Sequence, residues 1–184
     1  MTVMRGSTDT PYGEKTHDLD QAVRWAARRK VLLVDGRLRE ASLHREFSLP
    51  VQPGLCECLR GEASAAKSTQ MTNVPSLWVL PAGLCDQHAL LHLGQEDLSR
   101  VVAELKAGFD FVLFDAEPVL AGAEGLLLCQ HADAVLLSVV YDQSQAENIS
   151  AASHRLNAIG ARLLGVVAQE SSAGLVTDTT TIPL

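Results

Sequence analysis

Aromatic residues are scarce, at 4% of the 184 residues, while hydrophobic residues reach 47%. The core must therefore be aliphatic, and the composition is that of a globular chain. Positive charge is also short. Fifteen Lys+Arg stand against 22 Asp+Glu, a formal net charge of −7. That balance argues against a nonspecific grip on nucleic acid or on an anionic membrane. No run approaches the roughly 18 apolar residues of a membrane helix, so direct membrane insertion is not expected. The start of the chain, residues 1–11, has no apolar core, and no signal peptide is expected there. Cysteines number four. Cys56 and Cys58 stand one residue apart with no second close pair, so a zinc site is not indicated. The four are expected to be reduced, cytosolic and partly buried. No internal repeat is present, and the length suits one domain, 1–184.

What the sequence has is a series of short aliphatic runs, two of which end in an acid. Val31-Leu32-Leu33-Val34 runs into Asp35, and Phe111-Val112-Leu113-Phe114 runs into Asp115. Apolar residues on both faces of a short run predict a strand buried on both sides, as in a parallel sheet. Ligands in open α/β sheets bind beyond the carboxyl ends of such strands. Further strands are expected at 2–4, 76–81, 134–140 and 163–167. Helices are expected at 18–29, 95–107, 122–131 and 145–158, and shorter ones at 38–47 and 55–60. Residues 61–73 read as an exposed polar excursion and 171–184 as a flexible, Thr-rich tail. Alternating strands and helices predict an α/β fold, a three-layer, doubly wound, mostly parallel sheet with helices on both faces.

A phosphate site on such a sheet needs a Gly-rich loop whose amides cradle phosphate, a lysine for the terminal phosphates, and a hydroxyl for magnesium. Pro11-Tyr12-Gly13-Glu14-Lys15-Thr16 lies after the first strand and before a helix, where such a loop belongs. Lys15-Thr16 is the right dipeptide, and Gly13 lies close by. Glu14 stands where a glycine would precede the lysine. Its Cβ blocks close approach of the backbone, and its carboxylate repels phosphate. Read locally, the segment is equally an ordinary turn into a helix. Asp35 and Asp115 are the candidate metal-side acids. Asp35 could instead pair with Arg37 or Arg39, Asp115 could cap the turn that follows, and Arg37 could itself approach a phosphate.

Taken together, these pieces resemble the bacterial tyrosine kinases of capsule and exopolysaccharide production, the BY-kinases, within the MinD/ParA-like P-loop ATPase group. Val31-Leu32-Leu33-Val34-Asp35-Gly36-Arg37-Leu38-Arg39 resembles the Walker A′ strand, which usually ends Asp-x-Asp-x-Arg. Ser42 to Pro50, then Pro53-Gly54-Leu55, resembles the segment that follows. Leu80-Pro81-Ala82-Gly83 resembles a Leu-Pro-x-Gly turn, and Phe109 to Pro118 the Walker B strand. Ala132 to Leu137 and Gly160 to Val167 resemble the last two strands with their approaches. The resemblance implies a P-loop NTPase-like domain binding Mg-ATP or Mg-ADP. Gly13, Lys15, Thr16 and Gln169 would contact the nucleotide, and Thr16, Asp35 and Asp115 the magnesium. Asp35 and Asp115 would serve catalysis.

The departures concentrate at that site. The expected Pro-Gly-Glu-Gly-Lys-Thr reads Pro-Tyr-Gly-Glu-Lys-Thr, and the second acid of Walker A′ is Arg37. Gln169 stands where Asn is frequent, and the only tyrosines are Tyr12 and Tyr141, without a tyrosine-rich tail. Phosphoryl transfer rests on positioning and charge neutralisation, so these losses should compound. The expectation is a catalytically impaired scaffold or regulatory partner in polysaccharide biosynthesis and export. It would dock, in the cytoplasm, on the cytosolic end of a membrane-anchored co-polymerase or on an active BY-kinase. The alternatives are a divergent Mg-ATP-binding ATPase or tyrosine kinase of the same pathway, and a MinD/ParA-like positioning ATPase. His44, His88, His92 and His131 lack ligand spacing, and Trp25 and Trp78 read as packing residues.

Overall fold

In the computed structural model, residues 2–7, 26, 28–91, 93, 96–140, 144–169 and 181–182 are described. They form one eight-stranded sheet from β1 (Thr2–Ser7), β2 (Val31–Gly36), β3 (Gln70–Met71), β4 (Leu77–Leu80), β5 (Phe111–Ala116), β6 (Ala134–Val140), β7 (Leu163–Gln169) and β8 (Thr181–Ile182). The spatial order is β3-β4-β2-β5-β1-β6-β7-β8. The inner six strands are mutually parallel, and the two-residue edge strands β3 and β8 pair antiparallel. The chain is thus mixed α/β with a mostly parallel sheet.

The apolar runs explain this arrangement. All six residues of β2 are buried, which only a strand covered on both faces permits. Its side chains divide by the two-residue period. Leu32 and Val34 join a large cluster that includes Leu55, Leu98, Val101, Leu105 and Leu156. Val31 and Leu33 join a smaller one with Leu43, Val79 and Leu113 on the opposite face. Leu98, Val101, Val102 and Leu105, spaced for one helical face, are the buried residues of the helix Glu96–Gly108. That helix ends on Gly108, against an expected span of 95–107. The helix Ala146–Ala158 buries Ala152 and Leu156. Just beyond it, Gly160 has a left-handed φ of 74°. There the amides of Gly160 and Ala161 close onto the carbonyls of Asn157 and Leu156.

At the amino ends of the strands, the Asp110 carboxylate accepts the Lys30 amide at 2.8 Å, while the Asp110 amide donates to the Lys30 carbonyl at 2.9 Å. Lys30 Nζ lies over the Phe109 and Trp78 rings. Asp110, the polar break before β5, therefore fastens β5 to β2.

Four elements depart from the sequence expectation. The excursion 61–73 contains the short helix Ala65–Ser68 and strand β3, and the helix Gln87–Leu91 was not expected. Within the tail, Thr181–Ile182 pair with Val166 and Val167 of β7. The expected helix 18–29 and the loop 11–16 lie almost wholly outside the described residues. Among the described residues, no helix is long and apolar enough to cross a membrane.

Candidate functional site

Parallel pairing of β2 with β5 sets Asp35 directly opposite Asp115. Across the other edge of β5, Arg5 of β1 is in register with Asp115. The two strand-end acids read from the sequence are thus neighbours at the carboxyl end of the sheet, one inter-strand spacing of about 4.8 Å apart in backbone terms. Gly36 makes the next step of this pairing possible. A Cβ there would sit 2.9 Å from the Asp115 carbonyl and 3.0 Å from Leu128 Cδ1.

Asp35 is fully buried, and its carboxylate is engaged. Oδ2 accepts the amides of Ser42 at 2.9 Å and Leu43 at 3.0 Å, and Oδ1 accepts the Arg37 amide at 3.3 Å. Ser42 opens the short helix Leu43–Glu46, whose own cap residue makes no side-chain cap bond. Asp35 supplies the missing acceptor from the sheet. Desolvation raises its pKa above the ordinary value, against the lowering pull of the three amides and of Arg37. Among the ion pairs of the described residues, the alternative pairing of Asp35 with Arg37 or Arg39 does not occur. Arg37 pairs with Glu40 at 3.4 Å, and Arg39 pairs with Glu124.

Arg39 belongs to a bridge that the sequence reading missed. Its amide donates to Glu117 Oε1 at 3.0 Å, and its Nε donates to Glu124 Oε1 at 3.1 Å. Glu117 and Glu124 are both buried. The Arg39 guanidinium holds the Glu124 carboxyl below the usual carboxylate range. The loop after β2 and the loop after β5 are thereby tied across the two acids. Glu117, inside the Asp-Ala-Glu-Pro ending, was the available signal.

A second seam lies further along the same sheet end, where the helix Leu55–Leu59 meets residues 81–84 after β4. The amides of Leu55 and Cys56 donate to the carbonyls of Pro81 and Ala82, both at 2.8 Å. Glu57 is the hub. It accepts the Gly54 amide at 2.7 Å, the Leu84 amide at 3.0 Å, Gln52 Nε2 at 3.0 Å and Arg60 Nη2 at 3.1 Å. Burial pulls its pKa up, but the bonds from Gln52 and the amides outweigh it and hold the carboxyl below its ordinary value. Gly83 has a φ of 80°, and a Cβ there would strike the Glu57 carboxylate. The Leu-Pro-Ala-Gly turn is therefore shaped around Glu57.

The cysteine expectation is corrected at this seam. Cys56 and Cys85 are joined by a disulfide, with Cα atoms 5.3 Å apart. Cys58 and Cys129 are free and buried.

Gly13, Lys15 and Thr16 lie outside the described residues. Gln169 is the last residue of β7, and only its backbone is described. The Mg-nucleotide that the fold implies can be tested against the rest. Asp35 Oδ2 is taken up by the buried amides of Ser42 and Leu43, while Oδ1 accepts only the Arg37 amide, so the carboxylate is partly committed to the fold. Asp115, half-buried at the strand end, occupies a position that fits a metal ligand. Among the described residues, no group of three or more His, Cys, Asp or Glu is placed to hold a metal ion.

No protein-family model matches the chain. It is 30% identical over 149 residues to the tyrosine-protein kinase ptk of Acinetobacter johnsonii, a match covering 79% of this chain and 20% of that protein. It is 29% identical over 167 residues to the tyrosine-protein kinase YwqD of Bacillus subtilis (strain 168), covering 90% of this chain and 70% of that one. The chain thus spans about a fifth of the length of the first relative. Among solved structures, the VpsO kinase domain superposes with a TM-score of 0.85 at 26% identity, covering 92% of this chain and 84% of that one. The Pyrococcus furiosus cell division ATPase MinD superposes at 0.76 with 26% identity, covering 90% and 70%.

Proposed function

We propose that this chain, a bacterial tyrosine kinase-like domain of the MinD/ParA-like P-loop superfamily, is a catalytically weakened scaffold or regulatory partner in capsule or exopolysaccharide biosynthesis and export. It works in the cytoplasm. It docks on the cytosolic end of a membrane-anchored polysaccharide co-polymerase or on an active tyrosine kinase, and reaches the inner membrane only through that protein.

The observation that carries this reading is the engagement of Asp35. Its carboxylate holds the amides of Arg37, Ser42 and Leu43, while the position of the second acid of the Walker A′ pattern is taken by a cation, Arg37, tied to Glu40. Of the expected metal-side acids, Asp115 is half-buried at its strand end, while Asp35 is partly committed to the fold. Glu14 weakens the phosphate loop as well. Any residual nucleotide contact falls to Gly13, Lys15, Thr16 and Gln169, with Asp115 on the metal side. Magnesium, when bound, would neutralise phosphate charge there.

A second reading, a Mg-ATP-dependent tyrosine kinase or ATPase, draws on the direct opposition of Asp35 and Asp115 and on kinase relatives such as YwqD. Steady-state ATP hydrolysis and tyrosine phosphorylation separate the two. The scaffold reading expects the wild-type chain to turn over ATP no faster than its Lys15→Ala variant. Turnover on the order of 1 s⁻¹, lost in Lys15→Ala, would establish the second reading instead.

A further inference from the structure

We propose that Cys56 and Cys85 form a redox-responsive pair that closes by exchange with a low-molecular-weight disulfide, entering at Cys85 and finishing at Cys56. The two sulfurs differ in access. Cys56 is completely buried, while Cys85 is partly exposed at the surface. Cys85 is therefore the more accessible of the two to an incoming disulfide.

The seam is also held by contacts other than the sulfur bond. The amides of Leu55 and Cys56 donate to Pro81 and Ala82, Glu57 accepts the Leu84 amide, and Arg60 Nη1 donates to the Leu84 carbonyl at 2.9 Å. These contacts hold the two backbones together in the reduced form, within the span a disulfide needs. The pair is therefore poised to close and, after reduction, to close again.

The other cysteines cannot compete. The Cys58 sulfur is buried 3.3 Å from Ser68 Oγ, and burial pushes its thiol pKa up. Cys129 is buried, with its thiol pushed up to about 12. Neither presents a thiolate to solvent.

The chemistry balances in two exchanges. The Cys85 thiol gives up its proton, and its thiolate attacks one sulfur of the small disulfide. The S–S bond breaks, and one small thiolate leaves and takes up a proton. The Cys56 thiol, once deprotonated, attacks the Cys85 sulfur of the mixed disulfide and releases the second small thiol. The protein loses two electrons and two protons, and the small disulfide becomes two thiols. The product is a covalent clamp between the helix Leu55–Leu59 and the loop after β4, on the strand end that carries Asp35 and Asp115.

The full-length chain is reduced, freed of reductant and incubated with oxidised glutathione, then mapped by peptide mass spectrometry and melted. The wild type is expected to lose two hydrogens, to yield a Cys56–Cys85 linked peptide, and to melt about 5 °C or more higher than its reduced form. Cys56→Ser is expected to keep a single glutathione on Cys85. Cys85→Ser should be modified at Cys56 roughly tenfold more slowly or not at all, because that sulfur is buried. Cys58→Ser should behave as the wild type. A wild type that stays unlinked, a Cys56–Cys58 link, or equal modification rates in Cys56→Ser and Cys85→Ser would overturn the proposal. Wild-type mapping and melting decide it even where a variant fails to fold.

Discussion

At the scale of single residues, Asp35 shows how one acid can be found in a sequence while its task is not. An acid ending a buried strand was legible from Val31 to Asp35. That its carboxylate would meet the amides of Ser42 and Leu43 was not, because the path of residues 37–42 is set by tertiary contacts such as Arg39 with Glu117 and Glu124. Asp35→Ala leaves three amides without their acceptor, two of them bonded in a buried setting. It should destabilise the fold by about 2–4 kcal/mol in chemical denaturation. An unchanged midpoint would refute the cap.

Proton linkage separates the buried acids. The folded pKa values of Glu57 and Glu124 lie below the ordinary 4.5. Their contribution is therefore present above pH 4.5 and lost as pH falls through the folded values. Asp35 has the opposite sign, since its pKa is raised from 3.8. Its contribution is largest below 3.8 and is lost as pH rises through the folded value. Glu57→Gln should accordingly flatten the decline in stability below pH 4.5, measured as urea midpoints against pH. An acid limb as steep as that of the wild type would show that Glu57 is not its source.

At the scale of elements, long periodic stretches were readable and short ones were not. Leu98, Val101, Val102 and Leu105 announce a helix because a buried stripe repeats every three or four residues. Ala65–Ser68 and β3 carry no such stripe. They are held by outside partners, as when Glu104 accepts the Ala65 amide at 3.3 Å and β3 pairs with β4. The seam of the helix Leu55–Leu59 with the turn after β4 is similar. Leu-Pro-Ala-Gly was visible as a motif where a strand stops at Pro81, but its role as the receptor for Glu57 needed the fold. Gly83→Ala adds a Cβ at a left-handed φ and against a buried carboxylate. It should cost about 2 kcal/mol or more, read as a lowered thermal midpoint. Gly61 shares the left-handed φ, but a Cβ there has open space around it, so Gly61→Ala should cost less. Equal losses at the two positions would assign the effect to backbone strain alone.

At the scale of the whole molecule, the doubly wound sheet followed from the alternation of apolar runs with helical stripes, and the edges were what the runs could not convey. β3 and β8 are two residues each, too short to leave a pattern of period two. The two sides of the candidate site were unequally legible. Strand-end acids follow from strand positions, whereas the Arg39–Glu117–Glu124 bridge joins residues up to 85 positions apart and has no local signature. The account rests on a fold retained around a weakened nucleotide site, and a calorimetric titration of the intact chain with Mg-ADP, beside its Lys15→Ala variant, tests it most directly. The account predicts a Kd no tighter than about 1 mM, with the two proteins alike. A micromolar Kd that disappears in Lys15→Ala would contradict it.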